Sequence, residues 1–92
     1  METMRWTDEG ILELLDQTRL PSQVVYIKCA NHREVAAAIK RLAVRGAPAI
    51  GAAAAFGLVL AGRSLKSLSG DEFIAGIRAA AAELAATRPT AV

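Results

Sequence analysis

Apolar and polar positions divide the chain into a strand-rich first third and a helical remainder. Residues 11–15 are mostly apolar, and residues 24–29 are rich in β-branched and aromatic side chains, which favour strands. By periodicity alone a helix fits the first run equally well, but the turn-forming residues 16–22 that follow it favour a strand. The pattern predicts a β-hairpin over about residues 11–29. Because a lone hairpin is marginal in water, it must pack on helices or gain a third strand from about residues 4–7.

Two helices are predicted from their first residues. Asn31 and Glu34 have the spacing of a capping box, and so do Ser69 and Glu72. Apolar residues follow each pair at helical spacing: Val35, Ile39 and Leu42 after the first, and Phe73, Ile77, Ala80, Ala81 and Leu84 after the second. We therefore predict one helix that ends at Gly46 and another that ends at the segment Thr87-Arg88-Pro89.

A third helix is predicted between these two. The run 47–62 contains no charged residue, and Pro48 suits the first turn of a helix. A helix that is apolar all round should be buried on most sides. The run is also shorter than the roughly 20 residues that span a membrane. The predicted fold class is α+β, with a small antiparallel hairpin or sheet over about residues 1–29 packed on a helical bundle over about residues 31–88.

Composition and charge narrow the classes of function. The chain is 53% hydrophobic and 22% charged, as globular domains are. Its eleven basic residues are spread from Arg5 to Arg88 and are not interleaved with aromatic residues, so we expect no nucleic-acid partner. Cys29 is the only cysteine, and the N-terminus has no signal-peptide pattern. These features indicate a cytoplasmic protein with no membrane association, and no motif predicts a metal or a cofactor.

Two arginines are candidates for binding an anion. Arg45 precedes Gly46, which can adopt a positive φ, and stands beside the start of the predicted central helix. Helix N–H groups, the helix dipole and a guanidinium all favour negative charge there. Arg88 is held in an extended conformation by the proline after it. Both arginines suit a phosphate, and the alternative is an ordinary helix corner with solvated arginines.

The other chemically active residue types allow less specific interpretations. Cys29 and His32 are three residues apart and could form a nucleophile and its base. An alternating strand more often places a lone cysteine in the core, and His32 is then a solvated residue at a helix start. By spacing alone the carboxylates are ordinary surface acids: Asp8, Glu9, Glu13 and Asp16.

Several motifs together resemble one enzyme family. They are Trp6, Leu15-Asp16-Gln17-Thr18-x-Leu20-Pro21, the heptad Arg45-Gly46-Ala47-Pro48-Ala49-Ile50-Gly51, and Thr87-Arg88-Pro89-Thr90-Ala91-Val92. Their combination and spacing are similar to the N-terminal part of the methylthioribose-1-phosphate isomerases, across all 92 residues. That family is related to the regulatory subunits of the translation-initiation exchange factor.

The resemblance implies an aldose–ketose isomerisation in methionine salvage, from 5-methylthioribose 1-phosphate to 5-methylthioribulose 1-phosphate. It assigns substrate contacts to Arg45, Gly46, Ala47 and Arg88. The family's catalytic residues lie in a C-terminal α/β domain, and Cys29 does not match its catalytic cysteine. Residues 1–92 are therefore expected to be the N-terminal domain of a two-domain isomerase, inactive alone, with the phosphorylated pentose, its own C-terminal domain and a second subunit of a homodimer as partners.

Two other functions remain open. One is a non-catalytic regulatory or scaffold domain of the translation-initiation exchange-factor type. The other is an isomerase of a related pentose 1-phosphate. The heptad from Arg45 and the Asp16–Pro21 motif favour the isomerase branch over the regulatory one.

Overall fold

Three strands and three α-helices form in the residues that the structure, a computed structural model, describes: 2–41, 43, 44 and 46–87. The strands are β1 (Met4–Trp6), β2 (Leu12–Leu15) and β3 (Tyr26–Cys29), antiparallel in the order β1-β2-β3. A single 3-10 turn, Gln17–Arg19, lies between β2 and β3, and the Leu20–Pro21 peptide bond is cis. The helices are α1 (His32–Lys40), α2 (Ala47–Leu65) and α3 (Gly70–Ala85). The predicted α+β class, the hairpin and the third strand are confirmed.

The sheet has one apolar face and one polar face, because strand residues alternate between them. Leu12 pairs with Cys29, and Leu14 pairs with Ile27, so these four residues lie on the same face. Leu12, Leu14 and Cys29 are fully buried in the core cluster that the helices share. On the opposite face Arg5 forms an ion pair with Glu13 at 3.0 Å. The sheet is therefore a single layer with the helices on one side.

The helices form a second layer in which α2 contacts both α1 and α3. α3 runs antiparallel to α2, because Leu84 near its end packs against Gly57, while Phe73 near its start packs against Gly62. An aromatic stack of Trp6 on Phe56, with ring centroids 5.5 Å apart, joins β1 to α2. The stack fastens the edge strand to the helical layer, although Trp6 itself stays 39% exposed.

Helix boundaries differ from the predictions in two places. α1 ends at Lys40 rather than at Gly46, and the 3-10 turn holds the segment after it, since Gln17 N–H donates to the Ala43 carbonyl at 2.9 Å. At the start of α3 the Ser69 hydroxyl bonds to the Glu72 carboxylate at 2.9 Å and caps no backbone N–H. The capping box was therefore wrong for α3. At α1 it is right in part, because Asn31 accepts from the Glu34 N–H but Glu34 accepts from Ala30.

The prediction that the central helix is buried on most sides was wrong. α2 is long and apolar enough for a membrane span by length and composition, which is weak evidence because core helices of soluble proteins pass the same test. Only 22% of the window Pro48–Leu65 is buried. The exposed residues before the last turn and a half lie along one side of the helix: Pro48, Gly51, Ala52, Ala55 and Val59. One side of α2 packs on α1 and α3, and the sheet is too small to cover the rest.

Candidate functional site

The start of α2 depends on Gly46. Its φ is +92°, a conformation that residues with a Cβ rarely adopt, and its carbonyl accepts the first helical hydrogen bond from the Ile50 N–H at 2.9 Å. A Cβ added to Gly46 would meet nothing within 4 Å, so backbone conformation and not space requires glycine there. Ala47 is the first helical residue and Pro48 follows it. The positive φ predicted for Gly46 is confirmed, although it begins α2 and does not end α1.

The N-terminus of α2 differs from those of the other two helices in the described part of the chain. α1 begins with the Asn31 cap and carries Glu34 in its first turn, and α3 carries Asp71 and Glu72. α2 has neither a side-chain cap nor an acidic residue in its first turn. The positive end of its dipole and its first N–H groups are therefore left without a negative partner from these residues, which suits an external anion.

Two of the four predicted substrate contacts fall within the described residues. Gly46 and Ala47 are adjacent at the start of α2. Arg45 and Arg88 lie outside the described residues. Thr87 comes shortly after α3, whose Leu84 packs against Gly57 in the middle of α2.

A buried carboxylate next to this region was missed by the sequence-based interpretation, which took Asp16 for a surface acid. Asp16 is 2% exposed. Its Oδ1 accepts from the Thr18 hydroxyl at 2.5 Å and from the Thr18 N–H at 3.0 Å. Its Oδ2 lies 3.6 Å from Arg41 Nη2 and 3.9 Å from Arg19 Nε. The signal was present in Asp-x-Thr, which commonly forms an Asx turn, directly after the last two of the three buried leucines of β2.

The Asp16 carboxyl is ionised at neutral pH despite its burial. The hydrogen bond from the Thr18 side chain lowers its pKa below the ordinary value of 3.8, burial opposes this, and the Thr18 N–H and the guanidiniums of Arg41 and Arg19 lower it further. Because the folded-state pKa is depressed, the contribution of Asp16 to stability is present above about pH 3.8 and is lost as the pH falls through the folded-state pKa.

Cys29 and His32 are not placed as a catalytic pair. The Cys29 thiol is fully buried, and burial followed by the nearby Glu34 charge raises its pKa to about 11. A thiol with this pKa is protonated at neutral pH and is a poor nucleophile. The core interpretation of Cys29 is confirmed. His32 is less solvated than expected, because its Nε2 lies 3.3 Å from Glu83 Oε1 on α3 and its side chain is 15% exposed.

A groove of about 410 Å³ lies at the other end of the helical layer. It is formed by the start of α1, the end of α2 and the middle of α3. Its lining mixes polar and apolar residues: Asn31, His32, Arg33, Ser64, Leu65, Gly76, Ala79 and Glu83. This groove does not include Gly46 or Ala47. In the part of the chain that the structure describes, no three His, Cys, Asp or Glu side chains are grouped as metal ligands.

Comparison with known proteins identifies relatives along the whole chain. Residues 43–92 match the initiation factor 2 subunit family. A methylthioribose-1-phosphate isomerase of Pelotomaculum thermopropionicum is 65% identical over all 92 residues, which make up 25% of that protein. The chain thus spans about a quarter of the length of the curated relatives it matches.

Two solved structures share the fold. One is 5-methylthioribose 1-phosphate isomerase from Pyrococcus horikoshii OT3, with a TM-score of 0.88 and 42% identity over 98% of this chain and 25% of that one. The other is the translation initiation factor eIF-2B, subunit delta, from A. fulgidus, with a TM-score of 0.86 and 47% identity over 98% of this chain and 26% of that one. The predicted resemblance to the isomerases is therefore confirmed.

Proposed function

The chain belongs to the initiation factor 2 subunit family, and from this we propose that it is the N-terminal, substrate-contacting domain of an aldose–ketose isomerase. The reaction is the conversion of 5-methylthioribose 1-phosphate to 5-methylthioribulose 1-phosphate in methionine salvage, in the cytoplasm. The observation that carries the proposal is the 65% identity to a methylthioribose-1-phosphate isomerase over all 92 residues. The full protein is proposed to be a homodimer with a C-terminal α/β domain.

The geometry at the start of α2 supports a role in holding the substrate phosphate. Gly46 and Ala47 present the first turn of a helix that has neither a cap nor a first-turn acid of its own. A phosphate accepts hydrogen bonds from such N–H groups and is attracted by the helix dipole. We propose that Arg45 and Arg88 add guanidinium contacts to the same anion, since arginine matches phosphate with two parallel hydrogen bonds.

The chain is proposed to contribute binding and no catalytic group. An aldose–ketose isomerisation moves hydrogen between the first two sugar carbons, which requires an acid or base positioned beside them. Among the described residues, the buried thiol of Cys29 has a raised pKa, and the carboxylate of Asp16 is enclosed by its own partners. Neither is available to a sugar. We therefore expect the 92-residue chain to be inactive alone.

A segment exchange tests this proposal. The chain replaces the matching segment of the Pelotomaculum thermopropionicum protein, and we call the product the hybrid isomerase. We expect the hybrid isomerase to convert 5-methylthioribose 1-phosphate with a kcat/KM within about tenfold of the parent, a difference of about 1.4 kcal/mol. The 92-residue chain alone should show no conversion. Formation of the ketose product, followed by NMR or by a coupled assay, measures the activity of the hybrid isomerase and of the 92-residue chain.

Two alternatives are outcomes of the same assay. A folded hybrid without activity toward any pentose 1-phosphate would favour the regulatory or scaffold function, which the similarity to the A. fulgidus initiation-factor structure supports. Activity toward another pentose 1-phosphate, but not toward the methylthio sugar, would assign a related substrate. A hybrid that fails to fold is distinguished from both by its circular dichroism spectrum.

The exposed side of α2 is proposed to be the contact surface for the remaining part of a family-length protein. Its residues Gly51, Ala52, Ala55 and Val59 are apolar and exposed, although α2 is the most apolar helix of the chain. The relatives have about three quarters of their length outside the match, which is more than enough to cover it. Small residues along one side of a helix allow the close approach of a packed neighbour.

A charge on this surface should lower the unfolding free energy only in the longer protein. We expect Ala55→Glu to change the unfolding free energy of the 92-residue chain by less than about 0.5 kcal/mol, because Ala55 is exposed. In the hybrid isomerase the same change should cost at least about 2 kcal/mol, because a charge is then buried without a partner. Ala75→Glu, on the exposed side of α3, is the matched control. Equal effects of Ala55→Glu in both proteins would contradict the proposed contact.

A further inference from the structure

The segment between α1 and α2 is attached to the turn after β2 by an ion pair and a backbone hydrogen bond, and to α1 by a second backbone hydrogen bond. Arg41, the residue after α1, lies 3.6 Å from the Asp16 carboxylate. The Ala43 carbonyl accepts from the Gln17 N–H at 2.9 Å, and the Ala43 N–H donates to the Ala38 carbonyl at 3.0 Å. Ala43 and Val44 are buried, at 0% and 4% exposure. Polar contacts therefore hold Arg41 and Ala43, and burial holds Ala43 and Val44.

Asp16, at the other end of this attachment, is also held by several contacts. Asp16 is bound by the Thr18 hydroxyl and N–H, and its own N–H donates to the Val25 carbonyl at 2.8 Å. It is thus fixed to β2, to the 3-10 turn and to the segment before β3 at once. A buried carboxylate with this many donors keeps one position, since every alternative leaves a charge without partners.

We propose that Asp16 is a positioning residue for the substrate phosphate site. Through Arg41, and through the 3-10 turn whose Gln17 N–H holds Ala43, it sets where the chain enters α2 at Gly46. It touches no substrate itself. The inference rests on the proposed function, because it assumes that the start of α2 contacts the phosphate.

This role is distinct from a contribution to stability alone. If Asp16 only stabilised the fold, its removal would lower the folded fraction and the apparent kcat without changing KM. If it positions Gly46 and the first N–H groups of α2, a small displacement weakens the phosphate contacts in all folded molecules. Hydrogen bonds to charged groups are sensitive to such displacements, so KM should rise.

Kinetics of the hybrid isomerase with Asp16→Asn test the inference. The substitution keeps the shape of the side chain and removes its charge. We expect KM for 5-methylthioribose 1-phosphate to rise at least about fivefold, measured well below the melting temperature. Val35→Ala truncates a fully buried side chain of α1, so it should lower the melting temperature and leave KM within about twofold. Asp8→Asn, an exposed aspartate, should change neither quantity.

Substitutions of Thr18 give a second test that does not alter the buried charge directly. Thr18 is exposed but its hydroxyl binds Asp16 at 2.5 Å. Thr18→Ser keeps the hydroxyl donor and should leave KM near the unsubstituted value. Thr18→Val has nearly the same shape without the donor and should raise KM. This pair decides the question even where Asp16→Asn does not fold.

The outcomes separate this inference from the proposed function. A folded hybrid without isomerase activity overturns the proposed function and the positioning role with it. An active hybrid that Arg45→Ala leaves unimpaired overturns the proposed phosphate site and the positioning role, but not the isomerase function. An active hybrid that Arg45→Ala impairs, but whose KM stays within about twofold in Asp16→Asn and Thr18→Val, overturns the positioning role alone. A raised KM in both variants, with unchanged KM in Val35→Ala, supports it.

Discussion

Replacing Arg45 by alanine in the hybrid isomerase is expected to lower kcat/KM by about 10- to 100-fold. A hydrogen bond to a charged group contributes about 1.5–3 kcal/mol, and each 1.4 kcal/mol corresponds to about a factor of ten. Arg88→Ala should have an effect of similar size, because both arginines are proposed to bind the same phosphate. The kinetic constants are measured with 5-methylthioribose 1-phosphate at a temperature where all variants are folded.

Two further variants make this result specific. Arg45→Lys keeps the positive charge but loses the planar pair of donors, so it should recover only part of the lost kcat/KM. Arg78→Ala removes an exposed arginine from the middle of α3 and should leave kcat/KM within about twofold. If Arg45→Ala and Arg78→Ala behave alike while the hybrid is active, the phosphate site lies elsewhere and the family assignment is unaffected.

Truncation of Leu14 to alanine should have the largest effect on stability. Leu14 is fully buried in the middle of β2, between its partners Met4 on β1 and Ile27 on β3. Removing a buried leucine side chain costs about 2–5 kcal/mol through lost burial and the cavity left behind. Domains of this size have only about 5–15 kcal/mol of unfolding free energy in total. Urea denaturation of the 92-residue chain, followed by circular dichroism, measures the difference.

The matched control is Ile74→Ala on α3. Ile74 is 51% exposed, and alanine is a better helix former than isoleucine. The unfolding free energy of the 92-residue chain should therefore change by less than about 0.5 kcal/mol. The contrast between two aliphatic truncations isolates burial as the cause. Similar losses of unfolding free energy for Leu14→Ala and Ile74→Ala would mean that the apolar face of the sheet does not pack on the helices.

The features that were predicted correctly depend on neighbours within about four residues. The alternation in the strands, the turn residues between β2 and β3, the Asn31 cap and the helical spacing after it are all of this kind. Positive φ at Gly46 also follows from local chemistry, since glycine is the residue that adopts it readily. Where a local rule failed, as at Ser69, the side chain bound Glu72 instead of the backbone.

The features that were missed depend on residues distant in the chain. By its neighbours in sequence Asp16 is one more acid in a polar turn. Arg41, 25 positions later, lies against it, and the Gln17–Ala43 hydrogen bond closes the same loop. Its low pKa, by contrast, comes first from Thr18, two residues away, and to a smaller extent from Arg41. The pairing of His32 with Glu83 is equally non-local. No periodicity within one element carries this information.

The sequence by itself determined the order and type of the elements, the glycine before α2 and the family to which the chain belongs. Those properties are encoded in short patterns whose energetics are local. Only the tertiary structure decided which side of α2 is covered and which acid is buried, because burial depends on what the rest of the fold leaves room for. One layer of sheet and two neighbouring helices cover a single side of α2, while the turn after β2 closes over Asp16 and joins it to the entrance of that helix.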